Sequence, residues 1–448
     1  MSSDKRALLK QRLESGQIRL QPLTFPQREL WETSPVPVGD MANHICCLIE
    51  VRGKLTVADV AVALQRVVQR QEALRVSFLP GKDRPVQMIR EDGPVSFRAR
   101  ELSASEDIEE IARDIFREPF DLLQGPLYRV VLLSRAADDH VLVFAIHHAI
   151  ADGWTLGVFV QELCIAYIQS VRGMSEPLPA VPLTYTAWGA AERAFWQPSE
   201  LEPRAAFWKK QLAGHQRIWP ELEGPNTASG AHHRIVTHFP TDLANTARDI
   251  ARRSGATLFS TLLTAFQLAL ARWTGTDDIL VGTPVANRSK QATNETMGYF
   301  AGIVPLRSRV DPERSFVASV RAVHQITLDC FANAMPFAEL ARALGDAGMP
   351  GHNPIFEVRF ALQNHPIPDI ALPGLSAKLR MSSTGTARYH LACEITEESE
   401  QVEVVLLFRP KLFPQADVEN LARTFESILT AAGEPSETRP AALTVSPR

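Results

Sequence analysis

Polar and apolar positions along this chain fall into short blocks that switch between a period of two and a period near 3.6, as strands alternating with helices would produce. The stretch "NHICCLIEVRG" sets Ile45, Cys47, Ile49 and Val51 on one side, which predicts a half-buried strand ending at Gly53. "LTVADVAVALQRVVQRQEALRVSF" predicts a helix, with Thr56 as N-cap, Asp59 three residues on, and an apolar stripe of Val60, Leu64, Val67 and Val68. "SFLPGKDRPVQMI" predicts a strand, a turn at Pro80-Gly81 and a return strand. A short helix is expected over 108–117, and "PFDLLQGPLYRVVLLSR" leads into another strand. "HVLVFAIHH" is apolar on both faces, which suits a central strand covered on both sides. "TLGVFVQELCIAYIQSV" returns to the helical period through Leu156, Phe159, Val160 and Leu163.

Residues 176–233 break this rhythm. "GMSEPLPAVPLTYTAWG" is rich in proline and "EGPNTASGAHH" in small polar residues, which predicts a connection holding one helix with Phe195, Trp196, Phe207 and Trp208. A second series follows: strand "HRIVTHF", helices "TDLANTARDIARRSG" and "TLFSTLLTAFQLALARWTG", and strand "DILVGTPVANR". Helices near 314–333 and 336–344, strands "PIFEVRFALQN" and "QVEVVLLF", and a last helix at 414–431 complete it. The recurring order predicts two similar α/β lobes, 1–175 and 234–448, and 448 residues exceed what one hydrophobic core usually serves.

Composition narrows the function classes. The 47 basic and 51 acidic residues form no dense basic block, so nucleic acid is not an expected partner. Cys46, Cys47, Cys164, Cys330 and Cys393 show no CxxC or Cys/His ligand spacing, as in a reduced cytoplasmic protein without structural zinc. The N-terminal "MSSDKRALLKQRLESGQ" has no apolar h-region, and no membrane span is expected.

Chemistry concentrates in "FAIHHAIADGWTLGVF", residues 144–159. An adjacent histidine pair is weak evidence alone, and His232-His233 is a second pair with no Asp or Gly at matching offsets. Asp152 and Gly153, four and five residues beyond His148, make HHxxxDG far rarer by chance. His148 at the end of a buried strand suits general-base help to a nucleophile attacking a carbonyl. Asp152 suits a hydrogen-bonded or arginine-paired brace, and Gly153 suits close backbone approach with its N–H offered to an oxyanion. The bland alternative is two packed core histidines and an aspartate that only caps the next helix. A shared metal is disfavoured because adjacent side chains at a strand end point to opposite faces. GxSxG, GxxxxGK[ST] and glycine-rich dinucleotide loops do not occur.

"HHAIADGWT" resembles the HHxxxDGxS motif of condensation domains of nonribosomal peptide synthetases, within the chloramphenicol acetyltransferase-like superfamily. The likeness runs along most of the chain. "LTFPQRELW" (23–31) is similar to SxAQxRLW with Glu29 for Arg, and "RQEALRVSF" (70–78) to RHExLRTxF with Gln71 for His and Val76 for Thr. "PFDLLQGPLYR" (119–129), "ILVGTPVANR" (279–288), "MGYFAGIVPLR" (297–307), "MPFAEL" (335–340) and "NPIFEVRFALQN" (353–364) follow in the family's order.

The resemblance implies two acetyltransferase-like lobes forming a V with a tunnel between them, either free-standing or excised from a larger synthetase. Donor and acceptor carrier proteins would insert phosphopantetheine arms from opposite ends, as substrate carriers and not as a resident cofactor. The product would be an amide, with ester formation from a soluble alcohol, or a recruitment platform without catalysis, as alternatives. His148 would be the general base or the group positioning the amine, with His147 as support. Asp152 would be paired with an arginine of the second motif, Arg75 first and Arg70 second. Trp154 and Thr155 complete the motif, with Thr in place of Ser. Asn364 and Arg288 are substrate-tunnel candidates, as is Gly302, which stands where many members carry Asn. No metal is expected, and the protein is expected to be a monomer.

Overall fold

The computed structural model describes residues 3–103, 105–219, 230–288, 291–311, 313–345, 353–363, 371–372, 374–397 and 401–433. They build two mixed sheets of six strands, a smaller sheet of three, and helices packed against them. The buried apolar residues form two main cores. One core gathers residues from Leu23 to Leu178 together with Met297 and Tyr299, and the other gathers Trp208, Leu212 and residues from Phe239 onward.

At the centre of the first lobe lies the strand Asp139–His147, paired antiparallel with His44–Arg52 on one side and Tyr128–Ala136 on the other. All but its first residue are buried, which is why its sequence carries no polar alternation. The helix Gly153–Val171 packs back on this sheet, with Phe159 stacked on Phe144 at 3.9 Å between ring centroids. At 19 residues that helix is long and apolar enough to cross a membrane by composition, contrary to the expectation of no span. Here it is an inner helix of the first lobe, packed against Val57–Arg70. The capping assignment at Thr56 holds: its hydroxyl accepts from the Asp59 N–H, and Val60, Leu64, Val67 and Val68 are buried.

In the second lobe the sheet order is Gly302–Arg309, Asp278–Val285, Val358–Gln363, Leu391–Glu397, Val402–Phe408 and His233–Phe239. The lobes are not separated cleanly in sequence. Strand Leu375–Ser382, from within the second series, pairs with His44–Arg52 and extends the first lobe's sheet. The connection also differs from expectation, since it holds two helices, Tyr185–Phe195 and Pro198–Gln211. Pro198 cannot donate a backbone hydrogen bond to a preceding turn, so the first helix ends and the second starts there.

A latch from the second lobe grips the first. Met297 and Tyr299 are buried in the first lobe's core, although the strands flanking them belong to the second lobe. The Met297 N–H donates to Gln71 Oε1 at 2.9 Å, and Tyr185 Oη donates to the Tyr299 carbonyl at 2.7 Å. Gly298 lies against the Tyr185 ring, where an added Cβ would stand 2.3 Å from a ring carbon. Gly298→Ala is therefore expected to lower the apparent melting temperature by several degrees, an overpacking cost of about 1–3 kcal/mol, measurable by scanning calorimetry. An unchanged melting temperature would show that the latch does not bear on lobe closure.

Candidate active site

His147 and His148 sit where the central strand gives way to the single turn His148–Ile150, and their rings meet different neighbours, His147 those of His44 and Phe120 and His148 that of Tyr299. His147 is 1% exposed; its Nδ1 accepts from the Ala149 N–H at 3.0 Å, which puts the proton on Nε2, facing the Val38 carbonyl at 2.9 Å. Burial lowers its pKa to about 3, and the neighbouring His44 acts in the same direction. It is a neutral, fully engaged support, and it cannot share a ligand with His148. Among the described residues no group of His, Cys, Asp and Glu fits a metal ion.

His148 is differently placed. Its ring lies edge-on to Tyr299 at 4.6 Å, part of its surface stays accessible, and its Nδ1 is buried. Burial holds its pKa well below the ordinary imidazole range, and the Arg388 guanidinium and His147 lower it further. At neutral pH it is therefore a neutral imidazole with a ring nitrogen able to accept a proton.

The sign of this effect sets a stability prediction. An unfolded imidazole takes its proton near pH 6.5, while folded His147 takes one only near 3. Between those values the unfolded chain binds more protons, so this contribution is complete above about pH 6.5 and is lost progressively as pH falls. His147 contributes about 1 kcal/mol per pH unit in that window. The urea midpoint is expected to fall between pH 7.5 and 5, and an equal midpoint at both would contradict neutral burial of these rings.

Asp152 is 3% exposed and is the N-cap of the helix Gly153–Val171; its Oδ1 accepts from the Thr155 N–H at 3.0 Å. The carboxylate also accepts from the Phe300 N–H at 3.1 Å and pairs with Arg288 Nη2 at 3.1 and 3.3 Å. This corrects the sequence assignment, which gave Asp152 to Arg75 or Arg70. Arg75 instead binds the carbonyls of Val68 and Gln69, left open at a helix end, and those of Arg90 and Glu91 at the end of a strand. Arg70 pairs with Glu162 and Glu295.

Arg288 is likewise corrected from tunnel candidate to brace. Its side chain is 2% exposed, lies 3.9 Å over the Phe300 ring, and donates to the carbonyls of Thr293 and Thr296. Thr155 joins the same brace, its hydroxyl accepting from the Gly298 N–H at 3.1 Å and lying 2.9 Å from the Gly298 carbonyl. Trp154 Nε1 donates to the Asn294 carbonyl at 3.0 Å. Gly153 is the first residue of the helix, half-buried, at the end where backbone N–H groups have no helical partner. That position suits an oxyanion donor, with the helix dipole adding to it.

Gly302 opens its strand opposite Val285, and an added Cβ would lie 2.9 Å from Asn287 Nδ2. Asn364 lies outside the described residues.

Sequence reasoning missed a cluster beside His148. Glu29 is 5% exposed, and burial pushes its carboxyl up to about 7 against the pull of Arg388 and the Tyr299 hydroxyl. Arg388 Nη2 stands 3.9 Å from the Glu29 carboxylate, its side chain 12% exposed. Arg388 carries no motif of its own. The one signal for it was Glu29 itself, since an anion in place of a family arginine calls for a cation from elsewhere in the chain.

A family model described as the condensation domain matches residues 17–447. A linear gramicidin synthase of Brevibacillus parabrevis is 31% identical over 427 residues, covering 92% of this chain and 8% of that protein. The chain thus spans only a small part of the length of such curated relatives. Among solved structures, the X-domain in its complex with OxyB from teicoplanin biosynthesis matches with a TM-score of 0.82 at 20% identity, covering 95% of this chain and 96% of that one. The first condensation domain of the CDA synthetase matches at 0.78 and 21%, covering 94% and 98%. The fold is accordingly the two-lobed, chloramphenicol-acetyltransferase-like one. The chain belongs to the condensation-domain family.

Proposed function

We propose that this chain forms an amide bond between a carrier-tethered acyl or peptidyl thioester and an amine. The observation that carries the reading is His148: a neutral, partly accessible imidazole edge-on to Tyr299, in a site braced by Asp152 and Arg288. The amine lone pair attacks the thioester carbonyl carbon, and the C–N bond forms. The C–S bond then breaks, the amine releases a proton, and the phosphopantetheine thiolate leaves and is protonated. A neutral His148 would accept a hydrogen bond from the attacking amine and take up its proton as positive charge develops on nitrogen. Because its pKa is depressed, it orients the amine and receives the proton during bond formation, and does not strip an ammonium beforehand. The Gly153 N–H at the helix start would face the oxyanion.

The donor would be delivered on the phosphopantetheine arm of a carrier protein, as the synthetase origin of the relatives suggests. The test is to offer the same acyl group on a carrier protein and on coenzyme A, with a panel of amines and alcohols, and to follow donor loss and product by mass spectrometry. Amide from the carrier-bound donor is the expected result. Transfer from coenzyme A alone, or ester alone, would favour a free-standing acyltransferase of the same fold. The likeness to an X-domain solved with OxyB favours a second reading, recruitment of a partner protein without catalysis. Retention of His148 and Gly153 argues against it, and folded protein inert with every donor would support it.

A further inference from the structure

Arg388 poses a problem of unmet hydrogen bonds. It lies where the lobes meet, beside Tyr299 and Tyr389 and near enough for its charge to act on His148. Its Nε and Nη2 are buried, and among the described residues neither has a hydrogen-bond partner. The nearest anion, Glu29, stands 3.9 Å from Nη2, too far for a hydrogen bond, and burial favours its protonated form. Leaving buried guanidinium donors unsatisfied is costly, so a fold that keeps them so beside its reactive histidine is arranged to receive an acceptor group.

Of the groups that an amide-forming reaction brings there, a carboxylate matches best. A guanidinium offers two parallel N–H groups to its two oxygens, a geometry a lone thioester carbonyl cannot match. Glu29 accommodates it, since a protonated carboxyl next to an arriving carboxylate donates a hydrogen bond and does not repel it.

We propose that Arg388 binds a carboxylate on the acceptor amine, so that this chain acylates a soluble amino acid or another amine carrying a free carboxylate. The inference rests on the amide-forming reading and deepens it. A carrier-tethered aminoacyl acceptor has its carboxyl tied up as a thioester and would leave Arg388 unsatisfied.

The experiment compares acceptors on the intact protein with one accepted acyl-carrier donor. The acceptors are free amino acids, the same amino acids as carboxamides and methyl esters, and the same aminoacyl groups on a carrier protein. Wild type is expected to use the free amino acid with a kcat/KM about 10- to 100-fold above its carboxamide, the value of a charge-assisted contact, most of it in KM. Arg388→Gln should bring that ratio near one, and Arg388→Lys should restore part of the preference. Equal use of carboxylate and carboxamide by wild type, better use of the carrier-bound acceptor, or an unchanged ratio in Arg388→Gln would each overturn the inference and leave the amide-forming reading standing. Amide from no acceptor, free or carrier-bound, would overturn that reading and the inference with it. The wild-type comparison needs no variant, so a failure of Arg388→Gln to fold does not rescue the idea.

Discussion

Asp152→Asn is expected to lower the apparent melting temperature by about 10 °C and to reduce the yield of folded protein, because it strands Arg288 as an unpaired buried cation. Breaking a buried ion pair by removing one partner costs about 3–5 kcal/mol. The pair here is closed on both sides, with side chains 2% and 5% exposed. Asparagine keeps an oxygen for the Thr155 N–H, so the helix cap survives in part; what is lost is the charge facing Arg288 and the grip on the Phe300 N–H. Arg288→Met should show a comparable loss, and the double variant should be less destabilised than the sum of the two, since no lone charge is then left buried. Additive losses across this cycle, measured by thermal melts, would contradict direct coupling. The effect on activity should follow the fraction folded, because Asp152 holds the loop between His148 and the helix and does not itself move a proton.

The partner of Asp152 shows what the sequence carries and what it does not. The strand Asp139–His147 and the stripe on Val57–Arg70 were legible because burial on one face imposes a period on neighbouring residues. The cap role of Asp152 was legible for the same local reason, as Asp before a helical run has few other uses. Its arginine was not legible, since Arg288 is 136 residues away and reaches the site only after the chain passes Asn287, which adopts a left-handed φ of 50°. Arg75 looked better placed by motif, but it follows a helix end whose open carbonyls claim it first. The strand Leu375–Ser382 is similar: nothing in its own residues says that its partner is His44–Arg52 across the lobe boundary. Tyr299 and Arg388 are buried polar groups with no periodicity, so only the fold could bring them to His148.

The second large effect is expected at His148. His148→Ala removes a partly accessible side chain that packs edge-on to Tyr299, so the fold should survive with little change in melting temperature. Amide formation should fall by about 10²–10⁴-fold, the span covered by a positioned proton acceptor. The loss should appear in kcat as well as kcat/KM, because the contact strengthens as positive charge builds on nitrogen. His147→Asn should behave in the opposite way, losing stability first, since both of its ring nitrogens are engaged within the protein.

The measurement that bears most directly on the whole assignment is single-turnover acyl transfer from a loaded carrier protein to an amine, followed by intact-protein mass spectrometry of the carrier and chromatography of the product. Wild type should unload the carrier and yield one equivalent of amide, while folded His148→Ala leaves the carrier loaded on the same timescale. Amide formed by His148→Ala at the wild-type rate would contradict a role for His148 in the chemistry.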